Sequence, residues 1–174
     1  MTQMPAGGLV IRPLVESDAS LLVEATRGET DHTMWRPWPI GPFDVAGARE
    51  ALRDWQGDKV SYGILSGADL LGAVGVMRDG PDSAEMAYWV RPESRRQGIG
   101  AYGLAEVTRL AHGTIGHLWL EIEPANTASQ RLAAKAGYRY GTTLPRHCRL
   151  WLTDDPATDE WHDCLIWTYE ESIH

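Results

Sequence analysis

Arg95-Arg96-Gln97-Gly98-Ile99-Gly100 joins two cations to two glycines, a combination suited to an anion. Glycine lets the main chain approach a ligand closely, and the unpaired N–H groups of a first helical turn point at whatever sits above them. A phosphate is the natural guest. Further on, His117-Leu118-Trp119-Leu120-Glu121-Ile122-Glu123 alternates, so that Leu118, Leu120 and Ile122 share one face of a strand while Trp119, Glu121 and Glu123 share the other. That sets a row of carboxylates beside the glycine loop.

These residues need elements to hold them. Ala84 to Val90, with Tyr88, Trp89 and Val90, reads as a strand ended by Pro92. From Ile99 the apolar residues recur three and four apart through Leu104, Val107 and Leu110, as in an amphipathic helix. After the Glu121 strand, Pro124 to Ser129 reads as a turn, Gln130 to Ala136 as a short helix and Gly137 as its stop. Gly98, Gly100 and Gly103 also fit a literal GxGxxG, with Glu121 and Glu123 near the usual acidic offset. A dinucleotide site nevertheless requires its glycines directly after the strand, and here a connection separates Val90 from Gly98.

In the rest of the chain, Leu9 to Leu14 reads as a first strand, and Ser17-Asp18 as the cap of a helix through Leu22 and Ala25. Arg27 to Phe43 is too rich in proline to be helical throughout, and Asp44 caps a second helix through Leu52 and Trp55. Val60 to Leu65 and Leu70 to Met77 form a hairpin around Gly67-Ala68-Asp69; Arg149 to Leu152 and Asp163 to Tyr169 are expected as the last two strands. The order β-α-α-β-β-β-α-β-α-β-β predicts an α/β domain with one sheet, spanning residues 1 to 174 without repeat or linker.

With Arg95-x-x-Gly98-x-Gly100, Asn126-x-x-Ser129 and Lys135-x-Gly137-Tyr138 in this order, the chain resembles the GNAT superfamily of acetyl-coenzyme A dependent N-acetyltransferases. Leu118-Trp119-Leu120-Glu121 and His162-Asp163-Cys164-Leu165-Ile166 resemble strands of its ribosomal-protein N-terminal group. The resemblance runs from Ala84 to Tyr140, and loosely beyond. It implies a mostly antiparallel sheet whose two central parallel strands splay apart, with helices on both faces and the cofactor in the wedge. Tyr88, Trp89 and Val90 would offer main-chain groups to pantetheine, while Arg95, Arg96, Gln97, Gly98, Ile99, Gly100 and Ala101 would hold the pyrophosphate. Asn126, Ser129 and Lys135 belong to the helix that follows; Asn126 would contact the pantetheine arm or cap that helix, or do both.

The implied chemistry is acetyl transfer to a primary amine, of a protein N-terminus or a small molecule. An amine that is cationic in water needs a base. Glu121 matches the glutamate of the ribosomal alanine N-acetyltransferases, and Glu85 matches the base position of histone acetyltransferases; Glu121 is preferred. Where many relatives carry a tyrosine this chain has Ala133, and Ser129 is expected to meet the leaving thiolate instead. His32, Trp35 and Trp38, in the proline-rich connection, would line the acceptor wall. Two other functions remain open: a degenerate acyl-CoA-binding sensor or scaffold, and a dinucleotide binder.

Composition fits a globular enzyme, with 43% hydrophobic and 23% charged residues. A net charge of −8 argues against nucleic acid and favours a cationic acceptor if the charge gathers near the site. With no long apolar run, and no basic start or apolar centre at Met1 to Pro5, a cytoplasmic protein with no membrane partner is expected, as a monomer or homodimer. Cys148 and Cys164 are expected as thiols in a reducing compartment. His147-Cys148 and His162-x-Cys164 could gather as metal ligands, but neighbours on a strand face opposite ways, and no metal is expected.

Overall fold

The computed structural model describes residues 8–30, 42–150, 153 and 155–169. Among them, strand β1 (Val10–Pro13) leads to α1 (Ala19–Thr26) and α2 (Val45–Asp54), followed by β2 (Lys59–Ser66), β3 (Asp69–Gly80) and β4 (Ser83–Val90). Then α3 (Ile99–His112), β5 (His117–Ile122), α4 (Thr127–Lys135), β6 (Tyr138–Leu150) and β7 (Glu160–Tyr169) complete the order expected from the sequence. The seven strands form one mixed sheet in the order β1-β2-β3-β4-β5-β7-β6. Only β4 and β5 are parallel; every other pair is antiparallel.

Alternation along the strands divides the side chains between two apolar layers. Ala84 and Met86 of β4 and Leu118, Leu120 and Ile122 of β5 join Leu104 and Val107 of α3 and Ala133 of α4 in one core. Trp89 of β4 falls in the other, with Leu22 of α1 and Ala48 and Leu52 of α2. Helices therefore cover both faces. Tyr138, 2% exposed, is a core residue whose hydroxyl meets Thr108 at 2.6 Å. No helix among the described residues is long and apolar enough to cross a membrane.

Three sequence expectations are corrected. Asp18 stands at the start of α1 but does not cap it with its side chain: the carboxylate accepts from Arg12 at 2.8 Å and from the Val15 N–H at 2.9 Å. An ionised guanidinium competes better for a carboxylate than a first-turn N–H does. Strand β6 begins at Tyr138, well before Arg149, because its two register irregularities, after Tyr140 and after Leu144, interrupt the alternation that marks a strand. The cysteines are not free: Cys148 and Cys164 are joined as a disulfide with their Cα atoms 4.9 Å apart. The second irregularity explains their meeting, since it shifts Cys148 on β6 to within bonding reach of Cys164 on β7.

Candidate active site

Strands β4 and β5 pair through Ser83 with His117, Ala84 with Leu118 and Glu85 with Trp119, and then part. Beyond this point, residues 86–90 of β4 and 120–122 of β5 face each other without ladder bonds between them, so main-chain donors and acceptors line an opening wedge. At its mouth lie the starts of α3 and α4, because each helix follows its strand.

The loop into α3 is shaped by Gly98, which is left-handed at φ 78°, and Arg96, also at positive φ (62°). The first helical bond runs from the Tyr102 N–H to the Gly98 carbonyl at 3.0 Å, leaving the N–H groups of Ile99, Gly100 and Ala101 directed outward from the helix start. Space above Gly98 is open: a Cβ there would meet nothing within 4 Å. Gly100 has a different reason to be glycine. Its Cβ would lie 2.7 Å from Leu132 Cδ1 and 3.0 Å from Val90 Cγ2, so the close approach at Gly100 is made by protein and seats α3 against α4. Gly103 likewise lets Ile64 pack against α3.

The two arginines divide. Arg95 turns inward, donating from Nε to the Val90 carbonyl at 2.9 Å and pairing with the buried Glu29 carboxylate. Arg96 is exposed and forms no ion pair among the described residues. Gln97 reaches back to the Glu93 carbonyl at 3.2 Å. In α4, Asn126 caps the helix by accepting from the Ser129 N–H at 3.0 Å, and the Tyr88 hydroxyl donates to the Ser129 carbonyl at 3.2 Å. Tyr88 of β4 and Ser129 of α4 are thereby tied together, and burial raises the Tyr88 phenol pKa. Lys135 stands apart, exposed at the last residue of α4, about 13 Å along the helix from Asn126. His32, Trp35 and Trp38 lie outside the described residues.

The carboxylates occupy the face opposite Leu118 and Leu120. Glu85 is at the last paired position of β4 and Glu121 is two residues past Trp119, diagonal to it where the strands part. Burial, then the charges of Glu121 and Asp79, raise the Glu85 pKa to about 7. Asp79 is held nearby by the Trp119 indole N–H at 2.9 Å. A carboxyl poised there can exchange a proton at neutral pH.

Sequence reading missed the partner of Glu121. His147 Nε2 lies 2.9 Å from Glu121 Oε1, on the rim of the same face. It stands in the second irregularity of β6, where residues 145–147 oppose the single residue Asp163 between the pairs Leu144–Cys164 and Cys148–His162. His162, considered above as a companion of Cys164, instead meets Glu123 at 2.7 Å and Glu160 at 3.0 Å, and both contacts raise its pKa. Glu121 and the two cysteine sulfurs lie within 4.8 Å of one another, but the sulfurs are bonded to each other.

The residues present fit a long cofactor carrying a pyrophosphate. Outward N–H groups and Arg96 suit the anion, and unpaired main chain in the wedge suits an amide-bearing arm. Comparison with known proteins points the same way. No curated protein matches the chain in sequence. RimL, a ribosomal L7/L12 α-N-protein acetyltransferase solved in complex with coenzyme A, superposes with a TM-score of 0.78 at 17% identity, over 92% of each chain. Mycobacterium smegmatis RimJ, in complex with CoA-disulfide, gives 0.74 at 21% identity over 94% of this chain and 82% of its own. A spermidine N-acetyltransferase SpeG chimera from Vibrio cholerae and hSSAT gives 0.73 at 13% identity over 92% and 94%. At such identities these likenesses speak to the fold. Residues 8–139 match the GNAT acetyltransferase domain itself, and on that match the chain belongs to the GNAT acetyltransferase family.

Proposed function

We propose that this chain works as a single-domain, cytoplasmic N-acetyltransferase that takes acetyl-coenzyme A as donor and a cationic primary amine as acceptor, a peptide N-terminus or a small polyamine. The observation that carries the reading is the placement of Glu85 and Glu121 on one face of the sheet, at the point where β4 and β5 part. Two carboxylates so placed attract an ammonium group, and burial of Glu85, with the charges of Glu121 and Asp79 nearby, keeps its proton exchangeable near neutrality. The pair is the base.

The donor supplies an acetyl group already activated as a thioester. Ile99, Gly100, Ala101 and Arg96 would hold its pyrophosphate, and the edges of β4 and β5 its pantetheine arm. The chain's remaining tasks are to bring the amine to the wedge, remove its proton and meet the leaving sulfur. Ser129, fixed in the first turn of α4 by Asn126 and Tyr88, is the hydroxyl assigned to the sulfur. Asp79 adds a third negative charge to the acceptor side. RimL bears the name of a ribosomal-protein acetyltransferase and SpeG that of a spermidine acetyltransferase, so both acceptor kinds occur on this fold.

The test has two arms. Acetyl-coenzyme A is expected to raise the melting temperature by binding the folded state, and release of free thiol is then followed against a panel of peptides and polyamines. Stabilisation by NAD but not by acetyl-coenzyme A would overturn the donor assignment. Stabilisation by acetyl-coenzyme A without thiol release from any amine would identify a binding module instead.

A further inference from the structure

We propose that His147 is a positioning residue for the base: it holds the Glu121 carboxylate at the rim of the sheet and gives the Glu85–Glu121 pair its outlet for protons to solvent. This inference rests on the acetyltransferase reading above.

The geometry begins in β6. Three residues, Pro145, Arg146 and His147, stand opposite one, Asp163 of β7. A bulge of this kind leaves residues outside the ladder and re-aims their side chains. Arg146 takes a positive φ of 50°, and its N–H donates to the Asp163 carboxylate at 3.1 Å. On the far side the Cys148–Cys164 disulfide ties the resumed strand to β7. The bulge is therefore pinned at both ends, and the residue between the pins is His147. Its imidazole reaches across β7 to Glu121 of β5, at 2.9 Å.

Exposure changes along this line. Glu85 is half-buried, the Glu121 side chain is 28% exposed and the His147 side chain 49%. When an ammonium acceptor is acetylated, two N–H bonds break, an N–C bond forms and the thioester C–S bond breaks, and only one of the two protons released is taken up by the leaving sulfur. One proton in excess must then leave the enzyme in every turnover. Histidine is the side chain suited to pass a proton to water near neutral pH. The groups facing His147 and its partner are Glu121 on β5, the Glu123-bound His162 on β7, Glu85 on β4 and Asp79 on β3, while Asp163, at the alternate position of β7, accepts from the Arg146 N–H.

The experiment compares the full chain with His147→Gln, which keeps a donor towards Glu121 but cannot carry a proton, and with His147→Ala. Both are expected to lower kcat about ten-fold with the KM for acetyl-coenzyme A unchanged, and added imidazole buffer is expected to restore much of the rate to His147→Ala. Independently of turnover, carbon NMR of the glutamate carboxyls in the free enzyme is expected to show the Glu85 titration displaced in His147→Gln, because the group that holds the Glu121 carboxylate beside it is changed. Unchanged kcat and an unmoved Glu85 titration would overturn the proposal. So would a loss of rate that imidazole leaves unrepaired and that comes with a lower melting temperature, which marks a merely structural residue. If the parent enzyme releases no thiol with any amine, the acetyltransferase reading itself fails, and this inference with it.

Discussion

Strands β2, β3 and β4 and strands β6 and β7 solve the same pairing problem differently. From Leu70 to Val76, every residue of β3 is buried, and each of its two ladders carries a single irregularity. Strand β6, one residue longer, buries only Tyr138 and carries two irregularities against β7. The first region is fixed by packing from both faces. The second is fixed by discrete ties: the disulfide, the Arg146 N–H to Asp163 and the Arg149–Asp159 ion pair. The lesson is that the β4 side of the wedge rests on a core with little room to adjust, while the rim that carries His147 hangs on a few replaceable contacts.

The sharpest way to break this contrast is Gly72→Val in β3. A Cβ at Gly72 would lie 2.5 Å from the Trp89 carbonyl oxygen and 3.2 Å from Val90 Cα, both main-chain atoms of the neighbouring strand. Backbone cannot swing aside as a side chain can, so a loss of about 3 kcal/mol or more in urea unfolding is expected. A variant as stable as the parent would show that β3 and β4 yield as readily as β6 and β7 do.

Removing the disulfide tests the other side. Cys148→Ser opens a cross-link of sequence separation 16, for which chain entropy gives about 3 kcal/mol. The expected result is a lower melting temperature that no longer responds to dithiothreitol, with acetyl-coenzyme A affinity unchanged. Weakened cofactor binding would mean that the two regions are not independent.

Glu85→Gln sits on the seam between them. Its carboxyl titrates near 4.5 when unfolded and about 7 when folded, so between these values the folded chain holds a proton that the unfolded chain has released. Stability from this group is full below about 4.5 and is lost as pH rises through about 7. The glutamine variant is expected to lose that slope, on the order of 2 to 3 kcal/mol, in denaturation followed from pH 5 to 8. Activity should fall about 100-fold, and the rise of kcat/KM with pH through the neutral range should flatten. An undiminished rate would assign the base to Glu121 alone.

The same contrast explains what was legible beforehand. Regular elements announce themselves: the alternation of Leu118, Leu120 and Ile122 and the three-four spacing along α3 gave strand and helix at nearly their observed bounds. So did the caps at Asp44 and Asn126, because a cap is local, joining residues three apart. What escaped was non-local. The His147–Glu121 contact joins residues 26 apart across a bulge, and the disulfide depends on the same bulge. Arg95 was readable as a phosphate ligand because its partner Glu29, distant in sequence, gave no sign. Gly100 was readable as open space because Leu132, which fills it, belongs to another helix.

The parting of β4 and β5 after three pairings has a consequence for the chain's behaviour in company. An unpaired strand edge ordinarily invites another chain to add to the sheet, and proteins blunt such edges at the rim. Here two edges lie in the middle of the sheet, closed at one end by the remaining pairings and flanked by strands and helices. A foreign strand needs free length and an open flank to dock, and the slot gives neither. The protein can therefore keep main-chain donors and acceptors exposed to a slender ligand without exposing them to its neighbours, so self-association through this edge is suppressed by shape alone.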